Sequence, residues 1–130
     1  MKSIKAKEIE LFKNLSQLEL DNLFYDFHND FDCFQVLFES NMLILLFKNI
    51  MKGDFVYFKF DNATIESFDS SNFEELKNLT VDNIYRGRFQ KNDQLYEFDI
   101  DGKSYFYIEF YEGPSIELKC MNIIISEADE

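Results

Sequence analysis

Apolar and polar residues alternate with period two along most of this chain, and this alternation constrains its fold more than any other feature. In residues 104–111, for example, Phe106, Ile108 and Phe110 fall on one side of an extended segment, and the residues between them fall on the other side. Such alternation is typical of a β-strand with one face in a core. The sequence therefore predicts a protein built largely from half-buried strands.

Turn residues divide the alternating part of the chain into about seven short strands. Asp101-Gly102 is the strongest turn signal, because this dipeptide favours the two-residue turn of a β-hairpin. Glu39-Ser40-Asn41 is a further predicted turn. Residues 42–47 are apolar on both faces, which predicts a central strand that is covered on both sides. The predicted strands span residues 33–38, 42–47, 55–60, 63–68, 83–90, 95–100, 104–111 and 115–126.

The N-terminal segment, residues 6–28, is predicted to be helical. Its apolar residues recur at helical spacing, and Ser16 with Glu19 matches a capping box at which a second helix would begin. The apolar stripe consists of Ile9, Phe12, Leu15, Leu18, Leu20, Leu23, Phe24 and Phe27.

The predicted fold is α+β and mainly antiparallel β, within a single domain over residues 1–130. A meander of strands in residues 32–126 forms a sandwich or an open barrel, and the N-terminal helix packs on it.

The chain is strongly acidic, with 13 Lys and Arg against 25 Asp and Glu and a net charge of −12. Such a charge repels the phosphate backbone of nucleic acids and the surface of anionic membranes. Neither is therefore an expected partner. The expected partner is a basic protein, which this charge would steer into contact. The alternative interpretation is that the charge serves only solubility.

His28, the single histidine, limits the chemistry that the chain could perform. A serine or cysteine nucleophile would have to use it as its base. Asp26 and Asp30 flank it, and the favoured interpretation is that His28 and Asp30 tether the junction between helix and strand rather than bind a metal. No catalytic residue, metal site or cofactor is predicted, so the chain is interpreted as a non-enzyme. An enzyme of unrecognised type is the third hypothesis.

The two cysteines, Cys33 and Cys120, both lie within apolar runs, which predicts buried thiols without a metal or redox motif. The first residues lack the apolar core of a signal peptide. Residues 42–47, the longest apolar stretch, are too few to span a bilayer. The expected location is the cytoplasm.

Tyrosines and carboxylates on the polar side of residues 104–111 form the predicted binding surface. Tyrosine combines a large contact area with a polar tip and is enriched at protein–protein hot spots. The alternative is that a helix covers these tyrosines. The predicted partner contacts are Tyr105, Tyr107, Glu109 and Tyr111, with Asp99 and Asp101 adjacent, Tyr57 on an equivalent face of another strand, and Tyr96 as a further candidate.

Both ends of the β-rich region resemble a known group of proteins. Phe27-His28-Asn29-Asp30 leads into two apolar strands, and Ile116-Glu117-Leu118-Lys119-Cys120 precedes Ile123-Ile124-Ile125. These segments resemble small bacterial domains that begin with an F-H-D-S-like junction and end with an L-x-I-x-C-x-x-I-like strand. Asn29-Asp30 departs from the usual Asp-Ser.

Several members of that group are immunity proteins of polymorphic toxin systems. The resemblance, which covers roughly residues 27–127, implies a non-catalytic β-rich fold that inhibits a cognate toxin by binding it. It assigns no role to any residue. The second hypothesis is a structural or regulatory module that self-associates, for instance as a homodimer built through the tyrosine-rich surface.

Overall fold

A computed structural model describes residues 2–71, 75–89, 95–97, 99 and 101–128 of the chain. These residues contain fourteen strands, arranged as open sheets of six and four strands and two hairpins of two strands each. In chain order the strands are β1 (Lys2–Lys5), β2 (Gln17–Leu20), β3 (Leu23–Asp26), β4 (Phe31–Glu39), β5 (Met42–Asn49), β6 (Phe55–Asp61), β7 (Thr64–Asp69), β8 (Lys77–Leu79), β9 (Val81–Arg86), β10 (Arg88–Phe89), β11 (Leu95–Tyr96), β12 (Ser104–Phe110), β13 (Ser115–Cys120) and β14 (Asn122–Glu127).

All pairings between these strands are antiparallel, which confirms the prediction of a mainly antiparallel β protein. The prediction of about seven strands was too low, since the described residues contain twice that number. Parts of the predicted strands 83–90 and 95–100 lie outside the described residues.

The six-stranded sheet has the order β1-β14-β6-β5-β4-β8, so the apolar strand β5 lies in its interior, as predicted. A two-residue turn joins β4 to β5, and its residues Ser40 and Asn41 adopt the positive φ angles of 50° and 58° that such turns require. On the inner face, Leu45 of β5 lies opposite Phe58 of β6, and both side chains are fully buried.

The four-stranded sheet has the order β7-β13-β12-β9 and packs its apolar face against the first sheet. Phe106, Ile108 and Phe110 of β12 are buried there, and the Phe106 ring lies 5.7 Å from that of Phe60 in β6. The predicted strand 115–126 is divided at Met121, where the chain leaves β13 in one sheet and enters β14 in the other.

The predicted N-terminal helix is wrong. Ala6–Glu8 form a single 3₁₀ turn, and half of the remaining segment is the β2–β3 hairpin. Asp21 and Asn22 form its two-residue turn with φ angles of 46° and 68°, a conformation that aspartate and asparagine tolerate well. Among the described residues, no helix is long and apolar enough to cross a membrane.

The segment between β1 and β2 runs along the edge of β9 instead of lying over a sheet face. The amides of Phe12 and Leu15 donate to the carbonyl oxygens of Arg86 (2.9 Å) and Ile84 (2.6 Å). These hydrogen bonds occupy the edge of β9 that β12 leaves open. The amides of Phe12 and Leu15 are therefore satisfied by the four-stranded sheet, whereas a helix would have bonded them within the segment.

Candidate functional site

The outer face of the four-stranded sheet, which points away from the core, carries the predicted binding residues of β12. Tyr107 and Glu109 are half-buried and alternate with the buried Phe106, Ile108 and Phe110. The sheet register places Tyr107 beside Tyr85 of β9 and Glu117 of β13. We define the tyrosine face as Tyr85, Tyr107, Glu109 and Glu117.

Aromatic contacts order the tyrosine face across the sheet. The ring centroids of Tyr85 and Tyr107 lie 5.5 Å apart. Phe12, from the segment along β9, extends the row, with its ring 6.2 Å from that of Tyr85. Aromatic pairs at such distances restrict each other's side-chain rotation. The face is therefore a partly preorganised surface, which lowers the entropy that a partner would have to offset on binding.

Hydrogen bonds hold the Glu109 carboxylate in place on this face. Asn83 Nδ2 donates to Glu109 Oε1 (3.0 Å), and the Tyr107 hydroxyl donates to Glu109 Oε2 (3.4 Å). Asn83 is positioned in turn by Asn14, whose Nδ2 donates to Asn83 Oδ1 (3.2 Å). The cross-strand register that brings Asn83 beside Glu109 could not be read from the sequence without the order of the strands.

Tyr105 and Tyr111 differ sharply in exposure although both were predicted contacts. The side chain of Tyr105 is buried, with 6% of the residue exposed, whereas Tyr111 is 75% exposed just beyond the end of β12. Tyr105 therefore offers little surface to a partner, and Tyr111 offers most of its ring. The side chain of Tyr96 lies outside the described residues.

Asp99 lies beside a buried arginine, which the sequence analysis did not single out. The Arg86 guanidinium donates to Asp99 Oδ2 (3.2 Å) and pairs with Glu97. Arg86 is two residues beyond the buried Ile84 in β9 and so lies on the same inner face. The strand pattern alone could therefore have indicated a buried charge. Asp99 therefore serves first as a counter-ion for Arg86.

Asp101 occupies the predicted hairpin turn, where Asp101 and Gly102 adopt φ angles of 56° and 76°. It is exposed at the tip of that turn. Its position requires a small residue that accepts positive φ, so the turn explains the aspartate without a partner.

Tyr57 lies on the other sheet and does not join the tyrosine face. It occupies β6, where it alternates with the buried Val56 and Phe58 and so points outward from the six-stranded sheet. Lys59 lies on the same outer face, with its ammonium 5.2 Å from the centre of the Tyr57 ring. The two outer faces point in opposite directions, so one partner surface cannot contact Tyr57 and Tyr107 together unless it wraps around the edge.

His28 lies at the β3–β4 junction and hydrogen-bonds a backbone group. Its Nδ1 lies 2.7 Å from the carbonyl oxygen of Val81, so the tautomer protonated at Nδ1 donates this bond. Asn29 caps the same turn by donating its backbone and side-chain N–H groups to Asp26 (3.0 and 2.9 Å). These contacts tether the turn, although the element that precedes it is a strand and not a helix.

Burial and hydrogen bonds shift the pKa of Asp26 at this turn and of the two thiols in opposite directions. Burial alone would raise the pKa of Asp26, but the hydrogen bonds from Asn29 and Gln17 outweigh it and leave that pKa below its ordinary value. Burial raises the pKa of both Cys33 and Cys120 far above the ordinary range, and both thiols are free. In the described part of the chain, no three His, Cys, Asp or Glu side chains are grouped closely enough to hold a metal ion.

No protein-family model, curated protein or solved structure matches this chain. The likeness to immunity domains therefore rests only on the residues quoted for it. The function has to be argued from the geometry and charge of the surfaces described above.

Proposed function

We propose that this chain is a non-catalytic, cytoplasmic protein-binding domain that acts as an immunity protein and neutralises a basic toxin. The observation that carries this proposal is the tyrosine face. On it, the neighbouring rings of Tyr85 and Tyr107 lie beside a carboxylate, Glu109, that hydrogen bonds hold in a fixed position. Aromatic anchors with ordered polar neighbours are typical of binding hot spots.

The charge of this sheet suits a basic partner. Glu109 and Glu117 lie on the tyrosine face. The ammonium of Lys119 in β13 forms an ion pair with the Glu66 carboxylate of β7 (3.4 Å), so its charge is already matched by another carboxylate. The net charge of −12 adds a long-range attraction for cationic surfaces. A basic toxin docked here would cover its own cationic site, for example one that binds phosphate.

The arrangement of polar groups on this face supports binding rather than catalysis. Glu109 already accepts hydrogen bonds from Asn83 and Tyr107, and the His28 Nδ1 is engaged with the Val81 carbonyl of β9. A general base has to reach the proton that it removes. Groups that are already held by structural hydrogen bonds are poorly placed to do so.

A homodimer through the tyrosine face is disfavoured by the same charges. Two copies would bring Glu109 and Glu117 of each chain into one desolvated interface, and like charges in contact cost several kcal/mol. Self-association through this face would therefore need cations that β9, β12 and β13 do not supply in sufficient number.

The first test is capture of a partner from the lysate of the native organism with tagged protein, at low and at high salt, followed by mass spectrometry. A single basic protein that is held at low salt and released at high salt is the expected result, because salt screens exposed charges. Co-expression should then protect cells from that protein. No captured protein at either salt, or a captured protein without toxicity, would contradict the proposal.

The double substitution Tyr107→Ala, Glu109→Lys tests the surface. We expect the affinity for the captured partner to fall by about 100-fold or more, because a hot-spot ring and a fixed carboxylate are lost together. Circular dichroism should show an unchanged fold. The measurement is isothermal titration calorimetry against the purified partner.

A matched control carries the same chemical changes on the opposite face, as Tyr57→Ala, Asp61→Lys. Both residues lie on β6, and the net charge changes by the same amount. The control should bind the partner normally. If the control loses binding and the Tyr107 variant keeps it, the binding surface is the outer face of the six-stranded sheet instead.

A further inference from the structure

The outer face of the six-stranded sheet, which points away from the core, is largely apolar. Along β5, Met42, Ile44 and Leu46 point to this face, whereas Leu43 and Leu45 between them belong to the core. An antiparallel sheet with one face in a core usually turns a polar face to water, so a contiguous apolar outer face indicates a contact with another molecule. Neighbouring strands add Phe34, Leu37, Phe55, Tyr57 and Ile124 to the same face.

In the described part of the chain, the other layers of the protein lie on the inner side of this sheet. The four-stranded sheet packs there, and Phe27, just beyond β3, meets the inward Phe47 with ring centroids 4.4 Å apart. On the outer side, the ring contacts of the described residues stay within the sheet, where Phe34 lies 5.7 Å from Phe55. The sequence predicts that β5 is covered on both sides, but the described residues of one copy cover only its inner side.

The charges on this face balance, although the whole chain carries a net charge of −12. The ammonium of Lys48 lies near two of the apolar side chains, 6.0 Å from the ring centre of Phe34 and 5.8 Å from that of Phe55. Two such faces in contact bring together no excess of like charge, in contrast to two tyrosine faces. On the outer side of β1, β14, β6, β5 and β4, the charged residues are Lys5, Lys48 and Lys59 with Asp32, Glu39 and Asp61.

The size of this face is sufficient for a stable dimer. Five neighbouring strands measure about 24 Å across, and their outward positions extend about 20 Å along the strands. Two such faces therefore cover a flat area of about 1,000 Å² in total, which is the area that a specific interface needs. Protruding side chains such as Leu37, which is 40% exposed, increase the accessible area beyond this flat value.

We propose that two copies of this chain pack these outer faces together and form a symmetric dimer with β5 at its centre. The two-fold axis lies between the two sheets and runs across the strands, so β5 of one copy crosses β5 of the other in the antiparallel direction. Leu46 of each copy then lies against Ile44 of the other. Both tyrosine faces stay on the outside of the dimer, because each belongs to the other sheet of its own copy.

The positions of the charges fit this arrangement. Lys48 lies near one end of β5, about 10 Å from the two-fold axis. The other end of β5, at Met42, is flanked by Glu39 of β4 and Asp61 of β6. Packed sheets cross at about 30°, which displaces Lys48 sideways by about 5 Å, the spacing of one strand. Lys48 therefore lies over a carboxylate of the second copy, that of Glu39 or that of Asp61 according to the direction of crossing.

Analytical ultracentrifugation of the full chain over a wide range of concentrations tests this dimer. The wild type should dimerise reversibly. Leu46→Lys should abolish the dimer, because it places two ammonium groups in the apolar centre of the interface. The control Phe24→Lys introduces the same charge at a residue of β3 that is 63% exposed, and it should leave the dimer intact. Circular dichroism should show a folded protein in both cases.

Charge reversal tests the direction in which the two sheets cross. Lys48→Glu should weaken the dimer about tenfold or more, because it places a carboxylate over a carboxylate. Two double variants combine this change with Glu39→Lys or with Asp61→Lys. One of them should restore the wild-type dissociation constant, and it identifies the carboxylate that Lys48 contacts.

Three results would overturn the proposed dimer: a wild type that is monomeric at all concentrations, a dimer that withstands Leu46→Lys, and a failure of both double variants to restore the Lys48→Glu protein. The dimer face and the tyrosine face belong to different sheets and share no residues. Loss of toxin binding in the Tyr107 variant and loss of dimerisation in the Leu46 variant are therefore independent outcomes.

Discussion

Arg86 shows how a single residue determines the path of the N-terminal segment. Its Nη1 donates to the carbonyl oxygens of Lys7 (2.8 Å) and Ile9 (2.9 Å), and only 8% of the residue is exposed. Glu97 and Asp99 supply the counter-charge. Burial raises the pKa of Glu97 above its ordinary value and Asp99 adds to this, while the charge of Arg86 opposes it. The planar guanidinium thus joins three parts of the chain at one point.

Replacement of Arg86 by lysine is expected to destabilise the fold strongly. An ammonium keeps the charge, but it cannot reach two carbonyl oxygens and two carboxylates in the fork geometry of arginine. We expect the free energy of unfolding to fall by about 2 kcal/mol, because buried oxygen atoms that accept from Arg86 are left without a donor. Urea unfolding monitored by circular dichroism measures this loss.

The control for this prediction is Lys2→Gln, which removes an exposed ion pair between Lys2 and Asp21. Its effect should stay within about 0.5 kcal/mol, because exposed ion pairs contribute little. An equally small effect of Arg86→Lys would show that the cluster around Arg86 does not hold the N-terminal segment.

At the scale of elements, the β2–β3 hairpin replaces the predicted helix because of two residues at its tip. Asp21 and Asn22 both adopt positive φ, which a helix does not allow. The apolar residues of the segment are also distributed as in strands: Leu18 is buried, whereas Leu23 and Phe24 are 51% and 63% exposed. A helical stripe would have buried these residues together on one face.

Substitutions at Asn22 distinguish the hairpin from a helix in solution. In the hairpin, Asn22→Ala should cost about 1 kcal/mol because alanine disfavours positive φ, and Asn22→Gly should be neutral or slightly stabilising. In a helix the order would be reversed, since glycine costs about 1 kcal/mol relative to alanine. Chemical denaturation of both variants measures the order, and a more stable Asn22→Ala protein would contradict the hairpin.

At the scale of the whole molecule, one apolar core connects the two sheets. Phenylalanines from the β3–β4 junction and from both sheets meet in it: the Phe27 ring lies 4.4 Å from that of Phe47, and Phe60 contacts Phe106. Cys33 of β4 and Cys120 of β13 are fully buried within this core. The chain is therefore expected to unfold as one cooperative unit, because no boundary divides this set of contacts.

The two thiols test this cooperativity. Burial raises the pKa of both, so neither should react with a thiol reagent in the folded state at mildly alkaline pH, and both should react in urea. The variants Cys33→Ala and Cys120→Ala each leave one thiol. Their labelling rates, corrected for stability, should report the same opening free energy. Fast labelling of one thiol alone would show that its sheet opens independently.

The sequence by itself determined the β class of this protein, several turns and part of the core. Period-two alternation identified the inward side chains of β12, and Asp101-Gly102 and Ser40-Asn41 marked turns correctly, because side-chain direction and turn geometry depend on neighbouring residues. The local pattern gave a wrong prediction at residues 6–28, where the apolar spacing fits a helix. In the structure Phe12 and Leu15 donate their amides to β9, and β2 and β3 pair with each other.

Only the tertiary structure decided which surfaces are formed from these strands. Tyr57 and Tyr107 occur in equivalent positions of their own strands, yet the order of strands places them on opposite faces of the molecule. The neighbours of β4 likewise depend on that order, because β8, distant in the chain, pairs with it at Cys33 and Gln35. Pairing between distant strands sets both features, and this pairing depends on the whole core, so no local pattern in the sequence contains it.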